Sequence, residues 1–320
     1  MAQYIVRRIL ISIPMLLIIS VIVFTISQLA PGDAFTGQLD PKLDAEYFEE
    51  MRRAFGLDKH PVEQYYMWFT NLLKGELGIS FSYKLPVSDL IVDRIGNTIF
   101  LAFCSLVLTY GLAIPLGIFS AQRPYSMLDY TMTTTSFVLL SMPSFFAGLL
   151  LIYLFSFTLE WFPFSGTQTM GAGYTGISYV IDKLHHVFLP AVTLALISIA
   201  SYTRYIRSSV LDAKKQDYVR TAFAKGLASS VVLRKHVLKN ALLPLITLFG
   251  LDLGVFLSGA VITETIFTYP GLGQLYIESI TNRDYPIIMA LSMMGAVCVL
   301  VGNLIADILY AVVDPRIRYD

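Results

Sequence analysis

The chain has 320 residues, 55% hydrophobic and 14% charged, a balance more apolar and less charged than a soluble globular chain carries. Lys plus Arg and Asp plus Glu both total 23, so no overall basic excess supports nucleic-acid binding as the main activity. Cys104 and Cys298 sit inside uncharged apolar runs, which argues against a disulfide framework or a Cys-based metal site and leaves them as small core residues.

A helix needs about 20 apolar residues to cross a hydrocarbon layer ~30 Å thick. Four uncharged stretches meet that length: Ile9 to Gly32 behind Arg7 and Arg8, Ile95 to Gln122, Tyr130 to Leu159, and Tyr285 to Ala306. Val187 to Thr203 is shorter but extends past Arg204 if that side chain snorkels to the interface. Ala241 to Thr263 is interrupted by Asp252. Together they predict an all-α, polytopic integral membrane protein with about six transmembrane helices. The first stretch is longer than a signal-peptide apolar core and lacks a small-residue cleavage site at Gln28 to Pro31, so it is expected to be a retained span.

Basic residues near span ends set orientation. The 31–98 segment carries seven basic and eleven acidic residues, whereas 210–240 carries seven basic and two acidic ones. The second is therefore expected in the cytoplasm, with both termini, and the first outside. The expected division is an N-terminal transmembrane helix over 1–32 and an extracytoplasmic helical segment over 33–94. A five-helix core over 95–314 follows, carrying a cytoplasmic loop at about 210–240, and a tail over 315–320 closes the chain.

Between the first two spans, Asp44 to Phe55 is rich in helix formers, and Val62 to Leu73 places Tyr65, Tyr66, Phe69, Leu72 and Leu73 at helical spacing. These predict a small helical cap on the outer ends of the spans, a surface that also suits an external partner. Pro115, Pro143, Pro190 and Pro244 fall within or at the start of spans and are expected to kink them.

No G-x-x-x-x-G-K-[ST] phosphate loop occurs, so the chain is not expected to hydrolyse ATP itself. The histidines, His60, His185, His186 and His236, form no H-E-x-x-H pair, and no zinc site is expected. His185 and His186 read as interfacial polar residues. Acids inside spans cost ~2.5–3.5 kcal/mol at a helix centre. Asp252, half-way along the fifth span, is expected either to be bonded to Ser, Thr or Asn on neighbouring helices or to line a polar pathway. Asp307 has Asn303 one turn earlier as its expected partner. No convergent set of catalytic groups can be assembled, so no catalytic residue is assigned.

The informative segment is Asp217 to Gly226 and its continuation to Pro244. Val219, Ala222 and Phe223 form an apolar stripe at i, i+3, i+4, with Arg220 and Lys225 off it. Gly226 is placed to end this helix in a left-handed conformation, and Ser229 or Ser230 to cap the next. The expected product is two short helices about a glycine turn, with an apolar knob and a basic rim. A polybasic loop resting on anionic lipid accounts for the charge. A rigid lever in a partner's groove accounts also for the helix, the glycine break and the proline-marked return.

This segment resembles the coupling loop of the membrane subunits of binding-protein-dependent ABC importers, whose pattern is E-A-A-x-x-x-G, nine residues, then I-x-L-P. Arg220, Thr221 and Ala222 occupy the E-A-A positions, Gly226 the glycine and His236 the isoleucine, with Pro244 beyond the usual proline. Tyr218 to Gly226 and Asn240 to Pro244 are closer to the peptide and nickel importer branch. The rest of the chain resembles the B-type permease of that branch through Tyr4 to Arg8, Pro31-Gly-Asp33, Leu57-Asp58, Gly75-Glu-Leu-Gly78 and Ile114-Pro-Leu-Gly117. The likeness continues through Ser141-Met-Pro-Ser144, Gly259 to Glu264, Tyr269-Pro-Gly-Leu-Gly273, Arg283-Asp-Tyr-Pro286 and Asp314 to Arg318.

The resemblance implies a type I ABC importer permease that translocates di- or oligopeptides across the cytoplasmic membrane by alternating access. Its partners would be membrane lipid, a second homologous permease, two ABC ATPase subunits that bind ATP and Mg, and an extracytoplasmic peptide-binding protein. Tyr218, Arg220, Thr221, Ala222, Phe223, Ala224, Lys225 and Gly226 would form the ATPase-coupling loop. The cavity wall would draw on the later spans, with Asp252 and Ser258 as polar candidates. Nickel or another small solute is the alternative cargo within the same family, and a proton-coupled transporter using Asp252 the alternative mechanism.

Overall fold

The computed structural model describes residues 2–29, 56 and 58–313. The expected helix over Asp44 to Phe55, and the motif pieces at Pro31 to Asp33, Leu57 and Asp314 to Arg318, lie outside the described residues.

Helix α1, Ala2–Leu29, is the first span. Helix α2, Pro61–Lys74, opens with proline at its first turn and closes on Gly75 at φ +83°, the backbone state that glycine enters without Cβ strain. It packs across the end of α1 through aromatic edges: Phe24 meets Tyr65 at 5.4 Å and Trp68 at 6.0 Å, while Ser20 Oγ and the Tyr65 hydroxyl are 2.8 Å apart.

Helix α3, Val87–Gln122, starts eight residues before the expected Ile95. Asp89 and Asp93 turn outward, while Val87, Leu90 and Ile91 are buried against Leu272, Leu275 and Ile287, so the helix begins where its apolar face finds a partner rather than where charge stops. The single span expected over Tyr130 to Leu159 is broken. Helix α4, Met127–Ser141, and helix α5, Ser144–Thr158, meet at 106°. Proline at 143 disfavours the helical state for the residue before it, and Met142 is extended at φ −90°, ψ 127°.

Helix α6, Ile177–Lys214, is far longer than the expected Val187 to Thr203. It absorbs His185, whose Nε2 lies 2.7 Å from the Trp161 carbonyl, and His186, buried beside Asp182. Two short helices follow, α7 over Asp217–Ala224 and α8 over Ser229–Ala241. Helix α9, Leu243–Leu257, carries Pro244 in its first turn and stops well short of the expected Thr263, because Gly259 takes φ +107°. Helices α10, Val261–Ile266, and α11, Leu272–Thr281, form an elbow before α12, Tyr285–Val313. Helices α1, α3, α6 and α12 are each long and apolar enough to cross a membrane. The bent pairs α4–α5 and α8–α9 bring the total to six if each is one span.

The broadest helix pairing is α3 with α6, where a Cβ on Gly117 would come within 2.7 Å of Ile206. The next is α9 with α12. Gly250 and Gly254 of α9 pack on Gly302 and the Val299 backbone of α12 so closely that added methyl groups would collide. This is the small-xxx-small seam that lets membrane helices approach without a hydrophobic driving force. At the other side of α12, Asp307 is bonded to Arg8 of α1, with Nη2 and Nε at 3.2 and 3.1 Å from its two oxygens. The expected partner Asn303 is not the one found: an ion pair between helices outranks an amide on the same one.

Candidate functional site: the basic end of the bundle

The basic run returns the chain to the bundle where α3, α4, α6 and α9 end or begin. Asp217 supplies an acid to the first turn of α7, where it suits the helix dipole. At the other end Gly226 stands at φ +77°, its N–H bonded to the Phe223 carbonyl at 2.9 Å and that of Leu227 to the Ala222 carbonyl at 3.3 Å. These are the paired bonds of a Schellman cap. The expected left-handed stop at Gly226 is thus present. The expected serine cap is not: Ala228 takes the N-cap position of α8 without a side-chain bond, and Ser229 and Ser230 fall in its first turn.

The apolar stripe divides. Val219 and Ala222 are 2% and 4% exposed, packed into a cluster with Ala121 of α3, Ile206, Val210 and Ala213 of α6, Val232 and Val237 of α8, and Leu245 of α9. Phe223 is 50% exposed, and Tyr218, Arg220, Thr221, Ala224, Lys225 and Gly226 share the open side with it. Arg220 makes a 3.6 Å ion pair with Asp217, both highly exposed, a contact of little energetic weight. The result is a short helix that packs chiefly on α8, its inner face buried in a cluster shared with α3, α6 and α9 and its outer face, an aromatic ring among basic residues, turned away from the bundle.

Directly behind it lies a charged clamp that composition does not reveal. The Asp129 carboxylate, at the start of α4, is bonded by Arg207 of α6 through Nε at 2.6 Å and Nη2 at 2.7 Å, by the Tyr125 N–H at 2.8 Å, and by the Ser120 hydroxyl of α3. Lys214 adds a 2.7 Å bond to the Ala121 carbonyl. Three helices are thus fixed to one another beside α7. The signal in sequence was an acid and a base each bordering an apolar run, which gives no indication that they meet.

Asp252 and Ser258, the two proposed pathway residues, are not brought together. Asp252 accepts bonds from the hydroxyls of Tyr110 on α3, at 2.7 Å, and Tyr202 on α6, at 2.8 and 2.9 Å. Of its two expected settings, the interhelical bond is the one observed, with tyrosines in place of Ser, Thr or Asn. Six residues further, about 240° around the helix, the Ser258 hydroxyl is used on its own helix, donating to the Val255 carbonyl at 2.7 Å.

The family profile described as "Binding-protein-dependent transport system inner membrane component" matches residues 113–319. The chain belongs to this family. The N-terminal membrane-component profile of the same transport systems matches residues 1–102. Among similar proteins, the oligopeptide transport system permease protein AppB of Bacillus subtilis (strain 168) is 48% identical over 320 residues, covering 100% of both chains. The glutathione transport system permease proteins GsiC of Pectobacterium atrosepticum and Escherichia coli O6:H1 are 38% and 36% identical over 319 residues, again covering 100% of both chains. Of solved structures, the inward-facing MetNI methionine ABC transporter aligns with a TM-score of 0.54 at 14% identity, over 70% of this chain and 96% of that one. At that identity the likeness concerns the fold, which is that of a type I ABC importer permease. This binding-protein-dependent permease is accordingly a multi-pass membrane component of a transport system.

Proposed function

We propose that this chain is the B-type permease of an ABC importer that carries di- or oligopeptides inward across the cytoplasmic membrane, and that α7 is its contact with an ATPase subunit. The lever is supported by one observation: α7 buries Val219 and Ala222 among the ends of α3, α6, α8 and α9 while offering Phe223 and a basic rim outward. A force applied to the outer face must move several helices together, because close-packed interiors do not absorb displacement. A loop that only rested on lipid would not need an inner face. The cargo is supported by the relatives, which are named for oligopeptide and glutathione transport.

In this reading the basic end faces the cytoplasm, as the positive-inside rule favours. A second permease completes the pathway, and two ATPase subunits bind ATP and Mg. An extracytoplasmic binding protein delivers the peptide toward the end that carries α2, α10 and α11. This chain supplies no catalytic group of its own. Its contribution is a two-state structure whose balance the partners shift.

The proton-coupled alternative rests on Asp252. Two tyrosine hydroxyls occupy that carboxylate in a purely interhelical contact, which supports a structural role. In vesicles holding the full importer, uptake of a labelled peptide should follow internal ATP and survive collapse of the proton gradient. Asp252→Asn, which still accepts the tyrosine bonds through its amide oxygen, should retain most uptake. Loss of uptake on collapsing the gradient with ATP present, together with an inactive Asp252→Asn, would overturn the ATP-driven reading.

A further inference from the structure

Between α4 and α6, on the side of α6 away from its buried stripe, lies a cleft of about 530 Å³. Thr133 and Phe137 of α4 line it, with Ser201, Arg204, Arg207 and Ser208 of α6. Ser201, Arg204 and Ser208 recur at i, i+3, i+7 on α6, while Thr203, Ile206 and Val210 on its other side are buried. A polar stripe of this kind inside a membrane-spanning helix is costly against lipid and is ordinarily turned toward a bundle interior or a water-filled passage.

The two arginines are in different states. Arg207 is neutralised by Asp129. Arg204 lies over the Phe137 ring, its guanidinium carbon 4.0 Å from the centroid, and no carboxylate pairs with it among the described residues. Its direction is informative. Arg207 meets Asp129 at the basic end, and Phe137 stands eight residues further along α4, about 12 Å from that level. Arg204 itself stands only about 4.5 Å from Arg207 along α6. The guanidinium therefore leans along α6 away from the basic end, as helical side chains lean toward their N-terminus. A permanently charged, forked donor in a cleft that also holds the hydroxyls of Ser201, Ser208 and Thr133 suits a bidentate oxyanion such as a carboxylate.

We infer that Arg204 receives the C-terminal carboxylate of the peptide in transit, in the α4–α6 cleft lined by Ser201, Ser208 and Thr133, which opens onto the pathway that the second permease completes. This rests on the peptide reading of the cargo. Arg207, already paired with Asp129, holds the wall in place. The cleft volume lies within the range of small-ligand sites.

The test uses the full importer in vesicles, with Cys104 and Cys298 changed to serine and a single cysteine introduced by Ser208→Cys. In the nucleotide-free state a charged methanethiosulfonate should label that cysteine. Millimolar trialanine should slow labelling about tenfold, the effect of about nine-tenths occupancy of the cleft, whereas trialanine amide should not. Arg204→Gln should abolish the protection and Arg204→Lys should keep part of it. Thr133→Cys reads the same cleft from α4 without touching the arginine. Absence of labelling at both cysteines would place the cleft against lipid or protein and overturn the inference. So would equal protection by the acid and the amide, or protection that survives Arg204→Gln. If the unaltered importer takes up trialanine but shows no carboxylate-dependent protection, this inference alone fails. If it takes up no peptide, the cargo reading fails and the inference with it.

Discussion

At the basic end of the bundle, α7 is seated by apolar side chains, Val219 and Ala222 in one cluster with Ala121, Ile206, Val210 and Ala213, with its outer face left open. At the opposite end the elbow of α10 and α11 is fastened by a single carboxylate. Glu264, fully buried, accepts the Thr98 hydroxyl of α3 at 3.0 Å and the backbone N–H groups of Gly273 and Gln274 at 2.7 and 3.0 Å. A Cβ on Gly271 would run into that carboxylate, which gives the Tyr269 to Gly273 stretch a physical reason for its glycines. Burial pushes the Glu264 carboxyl up, and the bonds from Gln274, Thr98 and Gly273 oppose that. Asp284 nearby, also fully buried, accepts the Ser80 hydroxyl at 2.5 Å and the Ser82 N–H at 2.9 Å. The contrast separates two jobs. Directional bonds to backbone fix the far end in one geometry, whereas non-directional packing lets a lever stay attached while the helices it touches change angle.

The comparison breaks first at the buried ion pair of the basic end. Arg207→Met leaves the Asp129 carboxylate buried without its cation and should destabilise the chain by about 3–5 kcal/mol; Asp129→Leu in the same chain should recover much of that. Thermal unfolding of the detergent-solubilised protein checks both. At the far end, Glu264→Leu strands one hydroxyl and two backbone donors. A loss of about 2–4 kcal/mol is expected by the same measurement.

Two glycines sharpen the contrast further. Gly226 and Gly75 each end a helix at positive φ with open space around the missing Cβ. Alanine at either should cost about 1–2 kcal/mol through backbone strain alone. Only Gly226→Ala should lower the peptide imported per ATP hydrolysed, because only Gly226 bounds the lever; equal effects on that ratio would sink the assignment. Phe223→Ala has the smallest effect on stability, within about 0.5 kcal/mol for so exposed a side chain. Its uptake should nonetheless fall several-fold in reconstituted vesicles if the ring seats in a partner's groove.

Much of the fold was legible because apolar run length is a strong local signal: α1, α3 and α12 lie where uncharged stretches predict them. Sequence reading failed where a boundary depended on a contact. The start of α3 needed its burial against Leu272 and Ile287, and the extent of α6 needed partners for Asp182, His186 and Arg207. The break at Met142 and Pro143 was marked by a proline, but the 106° turn was not. The Gly250-x-x-x-Gly254 spacing was present in the sequence and went unread as the seam between α9 and α12.

For the site, sequence supplied the short helix, its glycine stop and its polarity, since periodicity and the demand for positive φ at Gly226 are local properties. Tertiary structure decided which part of the stripe is buried and which side chains pair across helices. Val219 and Ala222 went inward while Phe223 stayed out, Asp252 met two tyrosines, Asp307 met Arg8, and Asp129 met Arg207. The reason is range. Hydropathy and turn chemistry are carried by residues a few positions apart, but a charge inside a membrane is stabilised by whatever helix packs beside it, and no spacing along one chain names that partner.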